Sequence, residues 1–184
     1  MTKTNKRRIA TIVSLVLIVC IAVGATLAWL TDTTSSIENT FTVGKVDIDL
    51  TEESPEGQTA KMIPGSDITK DPKITVKAGS EACYVYVKIE KTNNPDTYLT
   101  YSIADGWNAL TGVDGVYYRE CAAVTADTDF PILANNKVTV KSDLTSAQMA
   151  TAGENNPKLK FTGYAIQSEN IADAAAGWTA LQSA

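Results

Sequence analysis

Cys83-Tyr84-Val85-Tyr86-Val87-Lys88-Ile89-Glu90 is the stretch whose reading decides the fold. Val85, Val87 and Ile89 fall on one side of an extended chain; Tyr84, Tyr86, Lys88 and Glu90 fall on the other. That is the period-two repeat of a β-strand with one buried face. The alternation recurs along the chain. Val46, Ile48 and Leu50 alternate with Lys45, Asp47 and Asp49. Ile74 and Val76 alternate with Lys and Thr, Val138 and Val140 do the same, and Leu159, Phe161 and Ala165 share one face of 158–167. Residues 98–103 and 116–120 are weaker strand candidates. Polar, Gly- or Pro-bearing loops are expected at 52–59, 92–97, 126–129 and 153–157.

One apolar and one polar face is the mark of an antiparallel sheet buried on one side. Seven or so such strands with short turns imply an all-β protein, an antiparallel sandwich of two sheets packed face to face. Helix is scarce. Residues 143–152 carry a capping residue, good formers and Gly153 at the end. Residues 173–181 are alanine-rich, with Ala174, Trp178 and Leu181 along one face. Both helices are expected to be short and peripheral.

The chain opens differently. A head with Lys3, Lys6, Arg7 and Arg8 precedes twenty uncharged residues, 9–28, and no acid occurs before Asp32. This is the layout of an export signal, an N-terminal hydrophobic helix held by charge on the cytoplasmic side. Thr26 and Ala28 are the small residues at −3 and −1 of a cut before Trp29. As a helix the apolar run rises about 30 Å, enough to span a bilayer. Cleavage and retention as an anchor are therefore both readings of 1–28. The body is then secreted or held at the cell surface, and meets the membrane only through an uncleaved signal.

Four of the 16 basic residues lie in the head and none of the 21 acids does, which leaves 12 against 21 in residues 29–184, a net −9. An acidic surface disfavours nucleic acid and anionic lipid as partners. Those 156 residues, 184 less 28, suit one domain with a real core.

The chain has no histidine. That removes the commonest general base, the commonest zinc ligand and every His-dependent triad. No metalloprotease, nucleophile-elbow or P-loop motif occurs. The nearest carboxylate pairs are Asp47-x-Asp49 on a strand and Asp127-x-Asp129 in an expected loop. The first reads as a solvated outer face; the second lacks the Gly and distal Glu of an EF-hand loop. No catalytic residue, metal site or cofactor is expected, and the chain reads as a non-enzyme. Tyr84, Tyr86, Tyr117, Tyr118 and Tyr164 are expected on outer faces, for cross-strand pairing or for contact with a sugar or a partner. Cys83 and Cys121 remain after cleavage; a disulfide and two buried free thiols are both open.

The stretch 24–32, Gly-Ala-Thr-Leu-Ala-Trp-Leu-Thr-Asp, and the stretch 39–50, Asn-Thr-Phe-Thr-Val-Gly-Lys-Val-Asp-Ile-Asp-Leu, resemble the start of the TasA and camelysin (CalY) family. These are surface and biofilm-matrix proteins of Gram-positive bacteria. Ile63-Pro64-Gly65-Ser66, Cys83 through Ile89 and Gly163-Tyr164-Ala165-Ile166-Gln167 also look like proteins of this class. The resemblance is strong over 20–50, fair over 60–90 and thin elsewhere. It implies signal removal by a SipW-type signal peptidase, a jelly-roll-like sandwich over 44–184, and fibres in which residues 29–43 of one subunit add as a strand to the next. Trp29, Leu30, Ile37, Phe41 and Val43 are the donor-strand residues on that reading. Camelysin has been described as a protease; without histidine or a metal motif that activity is not carried over.

Two readings of function follow. In the first the protein is a secreted structural subunit of an extracellular fibre or matrix, self-associating after cleavage. In the second it is a monomeric or anchored surface module that binds through its loops, with 29–43 packed in its own sheet.

Overall fold

The computed structural model describes residues 45–54 and 60–183, which belong to the unit Val43–Ala184. The expected signal, its cleavage residues Thr26, Ala28 and Trp29, and the donor residues from Trp29 to Val43 lie outside the described residues.

The described chain is mostly β, with every named pairing antiparallel and two short helices. Ten strands occur in the order β1 (Ile48–Thr51), β2 (Asp67–Thr69), β3 (Lys73–Val76), β4 (Cys83–Thr92), β5 (Leu99–Thr100), β6 (Asn108–Ala109), β7 (Val116–Cys121), β8 (Thr128–Pro131), β9 (Lys137–Val140) and β10 (Lys158–Gln167). Helix α1 (Ser146–Asn155) precedes β10 and helix α2 (Ala174–Gln182) follows it.

The ladders fall into three sheets where two are expected: β10-β4-β7-β6, β1-β3-β8 and β2-β9-β5. The last two are one layer with a break. β2 runs into β3 and β8 runs into β9, and each half pairs with the other. At the break Pro72 carries no N–H, but its carbonyl accepts from Ile132 at 2.9 Å, and Lys70 N–H donates to the Asn136 carbonyl at 2.8 Å. Asn135 and Asn136 take left-handed backbone there, which asparagine tolerates.

Between this layer and the four-stranded sheet lies the main core. Ile74 and Val76 of β3 meet Val85, Val87 and Ile89 of β4, with Ile132, Leu133 and Val138. Val85 and Val87 have no exposed surface, as the alternation requires. Gly163 lets β10 lie close over this core: a Cβ there would stand 3.2 Å from Ile74 Cδ1.

The opposite face of the four-stranded sheet is covered as well, which corrects the expected outer-face tyrosines. Tyr164, Tyr86 and Tyr118 stand side by side on β10, β4 and β7. Helix α2 lies over them. The Trp178 ring centroid is 5.5 Å from Tyr86 and 5.2 Å from Tyr164, the latter edge-on. Tyr86 is fully buried, and Tyr117 packs against the main core. Helix α2 is thus the lid of a second core formed with Leu110, Val116 and Ala174, where a peripheral helix is expected from sequence. The lid sits low because residue 177 is glycine, whose missing Cβ makes room for the Tyr86 hydroxyl.

Candidate functional site

The described surface offers three places where chemistry or recognition could sit: the carboxylate pairs, the cysteines, and the free edge of β10.

The carboxylates come together, but on lysines. Lys77 Nζ lies 2.9 Å from Asp49 and 3.2 Å from Asp127. Lys73 lies 2.7 Å from Glu53 and 3.1 Å from Asp129. The two ladders cross the outer face of β1-β3-β8. Asp129 belongs to strand β8 and not to a loop as expected, and Thr75 donates its hydroxyl to it at 2.6 Å. That hydrogen bond, then Lys73, holds the Asp129 carboxyl below the usual range. The Ala78 N–H and then Lys77 do the same for Asp127. Hydrogen bonds to Glu53 and Asp129 raise Lys73 in return. A carboxylate held ionised by a lysine is a poor proton donor. Asp47 is paired with Lys45 at 2.7 Å. Among the described residues no group of three or more His, Cys, Asp or Glu side chains is placed to hold a metal ion.

Cys83 and Cys121 are both buried and unbonded, directly opposite each other on β4 and β7. Burial above all pushes the Cys83 thiol up to about 12.

Strand β10 pairs with β4 along all ten of its residues and has no strand on its other side among the described residues. Ser168 N–H donates to the Ala82 carbonyl at 2.8 Å. Backbone groups alternate in direction along a strand, so the even-numbered residues of β10 point their N–H and C=O at β4. Leu159, Phe161, Gly163, Ala165 and Gln167 point theirs away. Among the described residues these groups have no strand partner, and the row, about 33 Å long, is a template for another strand.

At its N-terminal end the edge opens into a groove of about 990 Å³. Met62, Ile68, Leu99, Val138, Met149 and Leu159 give it an apolar floor, Lys158 and Lys160 are exposed beside it, and the largely buried Lys70–Glu52 pair also lines it. Helix α1 forms one wall. It is started by a reciprocal pair of hydrogen bonds between Thr145 and Gln148 and ended by Asn156 in left-handed backbone, with Pro157 next. The Asn93 side-chain amide, at the end of β4, donates to the Asn155 carbonyl and ties the wall to the sheet.

Sequence reading finds none of this groove, because its lining comes from segments spread over residues 52–160. The alternation of 158–167 does identify the strand that borders it. No helix of the described residues is long and apolar enough to cross a membrane. No protein-family model, no curated protein and no solved structure matches the chain.

Proposed function

We propose that the protein is a secreted structural subunit of an extracellular fibre or biofilm matrix, of the TasA and camelysin kind, with a jelly-roll-like domain. A SipW-type signal peptidase cuts after Ala28. Residues 29–43, freed by the cut, then add as a strand to the β10 edge of a neighbouring copy.

The observation that carries this reading is the long edge of β10, unpaired among the described residues, running into an apolar groove flanked by Lys158 and Lys160. The segment 29–43 is complementary to it. It holds Trp29, Leu30, Ile37, Phe41 and Val43, and its only charges are Asp32 and Glu38. Main-chain hydrogen bonds to the edge would supply affinity, and alternate side chains in the groove would supply register. A contact of a segment on one copy with an edge on the next is heterologous and does not close on itself, so it grows a filament. While the signal is attached the segment is tethered, and cleavage switches assembly on.

The test is negative-stain electron microscopy of residues 29–184 and of a version beginning at Lys45, over a concentration series. Fibres from the longer chain and none from the shorter are expected. Monodisperse particles from a well-folded longer chain would overturn the proposal in favour of a monomeric surface module.

A further inference from the structure

Cys83 and Cys121 face each other across the β4–β7 ladder. Ile89 N–H donates to the Gly115 carbonyl at 2.8 Å just beyond the other end of this ladder. The register runs unbroken from there, and hydrogen-bonded pairs recur every second residue. Cys83 and Cys121, six residues along, are again a hydrogen-bonded pair. Such pairs hold their Cα atoms about 5.5 Å apart, inside the range a disulfide spans of about 4.4–6.8 Å. Both side chains point into the main core, and the Cys121 thiol donates to the Ala122 carbonyl at 3.3 Å. Directly opposite residues hold their Cβ atoms about 4.5–5.5 Å apart, so the ladder closes by about 1 Å as the bond forms.

Access is the other half of the geometry. Cys83 is 1% exposed and Cys121 is 7% exposed. Thiol–disulfide exchange needs a thiolate that can reach its partner. In the folded ladder the Cys83 thiol, at about 12, is almost wholly protonated at neutral pH. Oxidant and reductant are both kept out. While β4 and β7 are still apart, each cysteine is an ordinary solvated thiol.

We propose that Cys83 and Cys121 are an oxidative cross-linking site, joined as a disulfide when the chain folds in an oxidising compartment and shielded by the completed ladder afterwards. The two thiols lose two protons and two electrons as the S–S bond forms. A small-molecule or enzyme disulfide accepts both electrons and is reduced to two thiols. The bond closes the chain between β4 and β7, which carries β5, β6 and the core residue Trp107. This inference is independent of fibre assembly.

The full-length chain is unfolded in reductant, refolded in a mixture of oxidised and reduced glutathione, alkylated in denaturant and digested with trypsin. The expected product is a cross-link between peptide 78–88, with Cys83, and peptide 120–137, with Cys121, while Cys20 is alkylated as the internal control. Thermal unfolding of the cross-linked form should lie about 10 °C above the reduced form. Reduction of the folded form by dithiothreitol should be about 100-fold slower than in denaturant. Recovery of 78–88 and 120–137 each singly alkylated, or linked to Cys20 instead, overturns the site. Equal reduction rates folded and unfolded overturn the shielding.

Discussion

The Tyr86 hydroxyl donates a 2.8 Å hydrogen bond to the carbonyl of Ala174, 88 residues away in sequence. It fixes the first turn of α2 to the middle of the four-stranded sheet. The same hydroxyl occupies the space where a Cβ on Gly177 would stand.

Replacing Gly177 with alanine should therefore destabilise the domain. Helix propensity alone favours alanine by about 1 kcal/mol. Overpacking against the hydroxyl costs more, about 1–3 kcal/mol. Tyr86→Phe alone should cost about 1 kcal/mol for the lost hydrogen bond. The two changes together should cost less than their sum, because removing the hydroxyl removes the clash. Urea unfolding of the four species measures this coupling; strict additivity would contradict it.

Alkaline pH should weaken both cores. Burial, and then the charges of Tyr84, Asp173 and Tyr118, raises the Tyr86 pKa from 10.0 to about 12. Burial raises Cys83 from 9.0 to about 12. Each group is neutral when protonated, and its folded value lies above its unfolded one. Folding is thus unaffected below the unfolded values and loses stability as pH climbs towards the folded ones. A urea midpoint that is level up to about pH 9 and falls between about 9 and 12 is expected. Tyr86→Phe should flatten the upper part of the fall, and oxidation of the cysteines the lower part.

Acid should act through the outer ladders. Asp67 is held below its usual 3.8, first by Lys137 and then by Thr139. Asp127, Asp129 and Glu90 are lowered in the same way by their hydrogen-bonded partners. A depressed carboxylate stabilises above its unfolded pKa and loses that contribution as pH falls through the folded value. These groups are solvated, so the loss should be small and weaker at high salt. Denaturant midpoints between about pH 5 and 2, in low and high salt, give the comparison. Asp129→Asn should make the decline shallower.

Proline separates the two edges of β10. Ala165 points its N–H outward, so Ala165→Pro should leave the ladder to β4 intact and remove one donor from the free edge. Assembly should fall while thermal stability changes by only a few degrees. Ile166→Pro removes a bond to β4 and should destabilise the fold itself by about 1–3 kcal/mol, the cost of leaving its buried partner unsatisfied. Light scattering and thermal melts of both variants distinguish docking from folding. Fibres from Ala165→Pro as abundant as from the unaltered chain would rule out β10 as the acceptor.

Much of this fold is legible in the alternation of single strands. The faces of 83–90 and 158–167 read correctly because each strand presents several apolar residues to one core. The second helix starts at its expected cap, Asp173, whereas the first is capped by Thr145, two residues past the expected start at 143, and runs through Gly153, its expected stop, to Asn155. Strands β2 and β6 escape because two or three residues carry no periodicity of their own, and β8 because Thr-Asp-Phe-Pro offers a single large apolar residue before a proline. The tyrosine face misleads for another reason. Tyrosine suits a half-solvated surface as well as a buried one, and the helix that covers it lies 88 residues on. The groove is a product of strand order, which depends on contacts between segments distant in sequence.

The placement of α2 sets an order in time. Strand β4 has its first neighbour, β7, within reach early, but β10 and α2 come from the last 27 residues, 158–184. Any machinery that delivers this chain N-terminus first, whether ribosome or export channel, therefore releases Tyr86 and Tyr118 without their lid. At synthesis rates of about 5–20 residues per second the bare aromatic face persists for a second or more. A chain cut short before Asp173 would lack α2 and keep that aromatic face bare to water, a patch of the kind that draws proteins together.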